Sequence, residues 1–184
     1  MTKRIQAIDL CAGAGGWACA ARDLPIDVVL AVDFWPRACK TYELNHPSTE
    51  VLCGDLREPE VQDRIRQLAG QVDLVLGGIP CEWLSLYRNV GHEKTRTSED
   101  EKGAERRTLD NVLELISDLN PRWWCLEDVL GLVKELPPLT PWMKLDAATY
   151  SAQRRKRVYV GRFPAPRLGR RIIFSMARRP TCGR

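Results

Sequence analysis

The sequence predicts an α/β fold, a mostly parallel sheet with helices on both faces. Two observations carry this expectation. Six short apolar runs rich in β-formers recur along the 184 residues, and helix-type stretches fall between them. Repeated β-α-β alternation is the pattern of a parallel sheet. In addition, several of the runs end in a carboxylate or in glycine, and open α/β sheets collect their ligand-binding groups at that edge.

Taken in order, IQAIDL (5–10) is the first strand and a small-residue helix follows over 16–23. DVVLAVD (27–33) is the second strand, followed by a helix over 36–45. EVLC (50–53) is the third strand, followed by a helix over 59–69. VDLVLG (72–77) is a buried strand that runs into glycine and then Pro80-Cys81. The helix over 105–119 carries Leu109, Val112, Leu113, Ile116 and Leu119 at helical spacing. WWCLE (123–127) and RVYVGRF (157–163) complete the strands. Residues 87–107 are charged and nearly free of apolar side chains, so they read as a loop. Residues 131–145 hold three prolines and read as a connector.

Composition narrows the class. Seven cysteines include no CxxC pair and there are two histidines, so zinc-site spacing is absent and no metal is expected. An odd cysteine count without a secretion signal points to reduced thiols and a cytoplasmic location. No run reaches the roughly 18 apolar residues of a membrane span, so no membrane partner is expected. Charge is unevenly distributed. Residues 154–184 carry ten arginines, one lysine and no acid, whereas residues 1–153 carry 17 basic against 24 acidic side chains. Such a segment fits a polyanion binder, and by charge alone it fits a solvated tail equally well.

The chemistry gathers at the expected strand ends. The turn after the first strand, DLCAGAGG, places Gly13, Gly15 and Gly16 before a helix, where backbone and free amides can approach a ligand. Asp33 ends the second strand, 24 residues after Asp9, where nucleoside-binding sheets put the acid that holds ribose hydroxyls. Phe34 and Trp35 follow and can pack against an adenine ring, and Gly54-Asp55 adds a second carboxylate on the same edge. The spacing is not that of a dinucleotide fold and no phosphate-binding lysine follows, so a nucleoside cofactor without a pyrophosphate fits better. Cys81 stands just past a strand end, with Glu127 at another. That pairing suggests covalent catalysis, although a buried thiol can also be a small core residue.

DLCAGAGG, Gly54-Asp55, GGIPCEWLS, CLEDVLGL and SAQRRKRVYVGRFP occur in the order and approximate spacing of the DNA cytosine-5 methyltransferases. Over roughly residues 5–165 the chain resembles that family. The likeness is greatest to its short-loop branch with the animal de novo enzymes, because LDAATYSAQRRKRVYVGRFP follows a Pro-rich connector directly.

The resemblance implies a Rossmann-like S-adenosylmethionine-dependent methyltransferase fold, with a catalytic domain over 1–165 and a basic tail over 166–184. It implies that Cys81 adds to carbon 6 of a flipped cytosine. Glu127 then serves N3, and Arg157 with Arg155 serves O2. S-adenosylmethionine is the implied methyl donor, leaving as S-adenosylhomocysteine. Its pocket would draw on Asp9, Cys11, Ala12, Gly13, Gly15, Gly16 and Trp17 from the first turn. Asp33, Phe34 and Trp35 would come from the second strand end, with Asp55, Leu56 and Pro80 from the next two. DNA is the implied partner, touched by Ser85, Arg88, Gln153, Arg154, Arg170 and Arg171, which would draw the protein to the nucleoid.

Asp128 stands where the family usually has Asn, and Glu82 where it usually has an amide. About 20 residues follow Pro164, too few for a target-recognition region of ordinary size. A second chain supplying recognition or completing the cofactor pocket is therefore an open expectation. Two other readings also stay open, an RNA cytosine-5 methyltransferase and a non-catalytic subunit that binds cofactor and DNA.

Overall fold

The computed structural model describes residues 3–69, 72–80, 99–149 and 151–164. Among them a seven-stranded sheet has the order β3-β2-β1-β4-β5-β7-β6. Strands β1 (Ile5–Leu10), β2 (Ile26–Asp33), β3 (Glu50–Cys53), β4 (Leu74–Gly78) and β5 (Trp123–Asp128) run parallel. β7 (Lys156–Arg162) lies antiparallel between β5 and β6 (Trp142–Asp146). Helices α1 (Gly16–Ala21), α2 (Pro36–Asn45), α3 (Pro59–Ala69) and α4 (Glu99–Leu119) connect the parallel strands. Proline opens α2 and α3, where its missing N–H is no loss and its fixed φ suits the first turn.

The two sheet faces are covered differently. One face presents Ile8, Leu10, Leu30, Val32, Val75, Leu126, Val158 and Val160. Against these lie Ile65 of α3, Leu109, Val112 and Leu115 of α4, and Leu132 of a short 3-10 helix (Leu130–Lys134). Removing each such side chain from water contributes about 1.5–3 kcal/mol, so this face dominates the stability. On the other face Ala12, Ala18, Ala31 and Tyr42 form a smaller cluster in which alanines let α1 and α2 approach the strands.

Two expectations are corrected. The charged stretch read as a loop over 87–107 is helical from residue 99, because α4 starts at Glu99. Charge does not oppose a helix whose polar residues face water, and Arg106 pairs with Asp110 one turn on. The Pro-rich connector over 131–145 contains the 3-10 helix and ends in β6. Its prolines all precede Trp142, and strand structure comes from pairing with β7, from Trp142 opposite Val160 to Asp146 opposite Lys156. A local pattern cannot reveal a pairing of that kind.

At the β5–β7 junction one glycine is required. Gly161 has φ 142°, and a Cβ there would lie 2.2 Å from the carbonyl oxygen of Trp124.

Candidate active site

All five parallel strands deliver their carboxyl ends to one edge, and the site is built along it. Cys11 leaves β1 with a positive φ of 54°, which starts the turn that carries the chain into α1. Gly15, at φ 98°, ends the turn against His46, whose ring leaves no room for a side chain. Asp33 holds this turn from the neighbouring strand. Its Oδ2 accepts from the Gly13 amide at 2.8 Å and its Oδ1 from the Trp35 amide at 2.9 Å. Its backbone carbonyl accepts from the Gly54 amide at 2.9 Å. One residue thus ties together the glycine turn, the aromatic lip and the end of β3.

Phe34 and Trp35 stand 65% and 54% exposed on that lip, unusual for large apolar side chains. Space beside Gly13 and Gly16 is open, since a Cβ at either would meet nothing within 4 Å. Ala12 and Leu56 nearby are buried, and Trp17 packs edge-on against Tyr159 at 6.1 Å.

The carboxylates of this rim differ in state. Asp9 is fully buried, and neither of its carboxyl oxygens has a hydrogen-bond partner. Burial first, and the charge of Asp33 second, hold its carboxyl well above the usual carboxylate range. Burial and then Asp33, Asp9 and Asp55 push the Cys11 thiol up as well. Asp55 goes the other way. Hydrogen bonds from Arg57, whose Nε lies 2.9 Å from both carboxylate oxygens, hold it below the usual range. Arg57 was not singled out from the sequence, although its position two residues after the aspartate in GDLR fits a local clamp.

The second half of the site lies at the ends of β4, β5 and β7. The Ile79 amide donates to the Glu127 carbonyl at 3.3 Å, so residues 79 and 80 leave the sheet beside Glu127. Glu127 Oε1 lies 2.9 Å from Arg157 Nε and 3.5 Å from Arg155 Nη2. Arg155 precedes β7, and its backbone amide donates to Asp146 Oδ1 at 3.1 Å, a support that no sequence signal marked. Tyr159, opposite Glu127 in the ladder, has its phenol pushed up by burial and then by that carboxylate. Asp128 is buried, and its carboxylate accepts from the Val129 amide at the strand end.

The structure therefore brings together Glu127, Arg155, Arg157 and every residue assigned to the cofactor pocket along one edge. Gln153 and Arg154 lie exposed beside Arg155. Cys81, Glu82, Ser85, Arg88, Arg170, Arg171 and the tail over 166–184 lie outside the described residues. Among the described residues, no group of three or more His, Cys, Asp or Glu could hold a metal ion. Among them too, no helix is long and apolar enough to cross a membrane.

A doubly wound sheet with a glycine turn, paired carboxylate strand ends and an acid–arginine cluster defines the class, the Rossmann-like methyltransferases. Within that class the chain belongs to the C-5 cytosine-specific DNA methylase family, whose profile matches residues 5–137. It is 31% identical over 136 residues to the Type II methyltransferase M.XorII of Xanthomonas oryzae, covering 72% of this chain and 30% of that protein. It is 30% identical over 174 residues to M.NgoMIV of Neisseria gonorrhoeae, covering 84% of this chain and 50% of that protein. The chain thus spans half or less of the length of these relatives. The S. pombe Dnmt2 methyltransferase matches in fold, with TM-score 0.61 and 19% identity over 89% of this chain and 52% of that one.

Proposed function

We propose that the chain is the catalytic part of a DNA cytosine-5 methyltransferase that uses S-adenosylmethionine and acts on a base flipped out of the duplex. The observation that carries this is the Glu127–Arg157 contact at 2.9 Å, on the same sheet edge as the Asp33-held glycine turn.

The residues present fit the cofactor. Open space beside Gly13 and Gly16, an exposed aromatic lip and carboxylates at Asp33 and Asp55 suit a nucleoside with a cationic tail. When bound, S-adenosylmethionine supplies an electrophilic methyl group. Asp33 would hold the ribose hydroxyls, Trp35 would cover the adenine and Asp55 would accept from its amine.

The remaining steps belong to the chain. Carbon 5 of cytosine is a weak nucleophile until a thiolate adds to carbon 6, the role proposed for Cys81. Addition builds charge on the ring, and Glu127 would donate a proton or hydrogen bond at N3 while Arg157 stabilises O2. In the free protein Arg157 holds the Glu127 side chain in place. A cytosine entering the site would take over that hydrogen bond. A base cannot reach these groups inside a duplex, hence the flipping.

DNA carrying 5-fluorocytosine tests this directly. The wild-type protein is expected to form a covalent adduct with it and Cys81→Ser none. Absence of an adduct from wild type, alone and with candidate partner proteins, would overturn the catalytic reading.

A second reading, dependence on a partner protein for target recognition, rests on the coverage of half or less of the curated relatives. Its mark would be an adduct formed only when a co-expressed neighbour is added.

A further inference from the structure

Beneath the cofactor edge lie two thiols that the proposed function does not use. Cys39, in the first half of α2, is 3% exposed, whereas Cys53 ends β3 with its side chain open to solvent; both are free thiols. The Cys39 side chain and the residue after Cys53 meet at a single atom, the Asp33 carbonyl oxygen. Cys39 Sγ donates to the Asp33 carbonyl at 3.2 Å, and the same oxygen accepts the Gly54 amide at 2.9 Å. Cys53 adjoins Gly54 and stands opposite Asp33 in the β2–β3 ladder. The Cys39 sulfur thus lies against the chain segment that carries Cys53, and burial first, with the Cys53 thiol second, pushes Cys39 up to about 12. With α2 packed on β3, the two cysteines stand on neighbouring elements, as a disulfide between them requires.

We propose that Cys39 and Cys53 form a redox-responsive pair, which a hydroperoxide converts to a disulfide joining α2 to the carboxyl end of β3. Cys53 reacts first because it reaches solvent. Its sulfur attacks the peroxide and the O–O bond breaks, giving a sulfenic acid on Cys53 and one molecule of water or alcohol. The Cys39 sulfur then displaces the sulfenic hydroxyl, which leaves as water with the Cys39 proton. Two thiols lose two electrons and two protons, and the peroxide is reduced by two electrons. A dithiol reverses the reaction by exchange. The bond would replace the thiol donated to the Asp33 carbonyl. It would also fix α2 against β3 directly under the residue that holds the glycine turn.

Peptide mapping with hydrogen peroxide as the probe tests this. Fully reduced protein is treated with a slight excess of peroxide, alkylated and digested without reductant. The expected product is a linked pair of peptides containing Cys39 and Cys53, two hydrogens lighter than their sum and released by dithiothreitol. It should be missing from Cys53→Ser, whose exposed site leaves the fold intact. The oxidised wild type should also melt several degrees higher than the reduced form, by closing a loop in the unfolded chain, and Cys53→Ser should show no such shift. Two results would overturn the proposal. One is Cys53 oxidised to sulfinic acid with Cys39 recovered as an alkylated thiol. The other is Cys53 linked mainly to a different cysteine.

Discussion

The two halves of the site hold their carboxylates by different means. Asp33 is fixed by backbone amides of Gly13 and Trp35, so its geometry follows from the main-chain path. Glu127 is fixed by the long side chains of Arg157 on β7 and Arg155 just before it, 28 or more residues later in sequence. The first arrangement is rigid before any ligand arrives. The second can yield its hydrogen bonds to a substrate base, because a partly exposed ion pair stabilises the fold by about 1 kcal/mol or less. In the proposed function, a prebuilt turn for the cofactor nucleoside stands beside an acid–arginine pair that can exchange partners with the base, as transfer between two bound groups requires.

The largest expected effect breaks the second half alone. Glu127→Gln removes the acid proposed to act at N3, and methyl transfer to DNA should fall by about 10²- to 10⁴-fold. Its melting temperature should stay near wild type, because the ion pair contributes little. A large loss of stability with modest loss of rate would make Glu127 a structural residue.

Next comes the scaffold beneath it. Gly161→Ala forces a Cβ onto the Trp124 carbonyl at 2.2 Å and a strained φ, which should destabilise the fold by about 3 kcal/mol or more in urea titration. An unchanged midpoint would mean that β7 is not anchored as described.

For the first half, Asp33→Ala deletes two charge-assisted hydrogen bonds to backbone amides. It should lower stability by about 2–3 kcal/mol and weaken S-adenosylmethionine binding in calorimetry by at least tenfold. Loss of stability with binding intact would separate the turn from the cofactor and refute the role of Asp33 in the pocket.

The smallest effect concerns Asp9. A buried carboxyl whose folded pKa is raised favours folding most below its unfolded pKa, and that contribution is lost as pH rises through the folded pKa. Asp9→Asn cannot ionise and escapes this loss. Its melting temperature relative to wild type should therefore climb as pH is raised from about 4 toward neutrality. A constant difference across that range would show that Asp9 is not held neutral.

Much of this architecture was legible from residue order. The apolar runs that became β1 to β5 are driven into the core by their own composition, and Val75 and Leu126 within them are buried. Asp33, Asp55 and Glu127 could be placed on one edge because parallel strands point the same way. The start of α4 and the strand β6 were misread. Arg106 finds Asp110 and Glu135 only once the helix is formed and docked, and β6 is a strand only because β7 lies beside it.

The chain's own sequence determined the sheet, the family and the kinds of group at each strand end, since hydrophobic period and turn chemistry are local. Tertiary structure alone decided how those groups are used. Folding buries Asp9 without a partner, clamps Asp55 with Arg57, aims Arg157 at Glu127 and sets the Cys39 thiol on the Asp33 carbonyl, opposite Cys53 in the ladder. Protonation and pairing depend on solvent exclusion and on neighbours distant in sequence, and both arise only when the sheet closes.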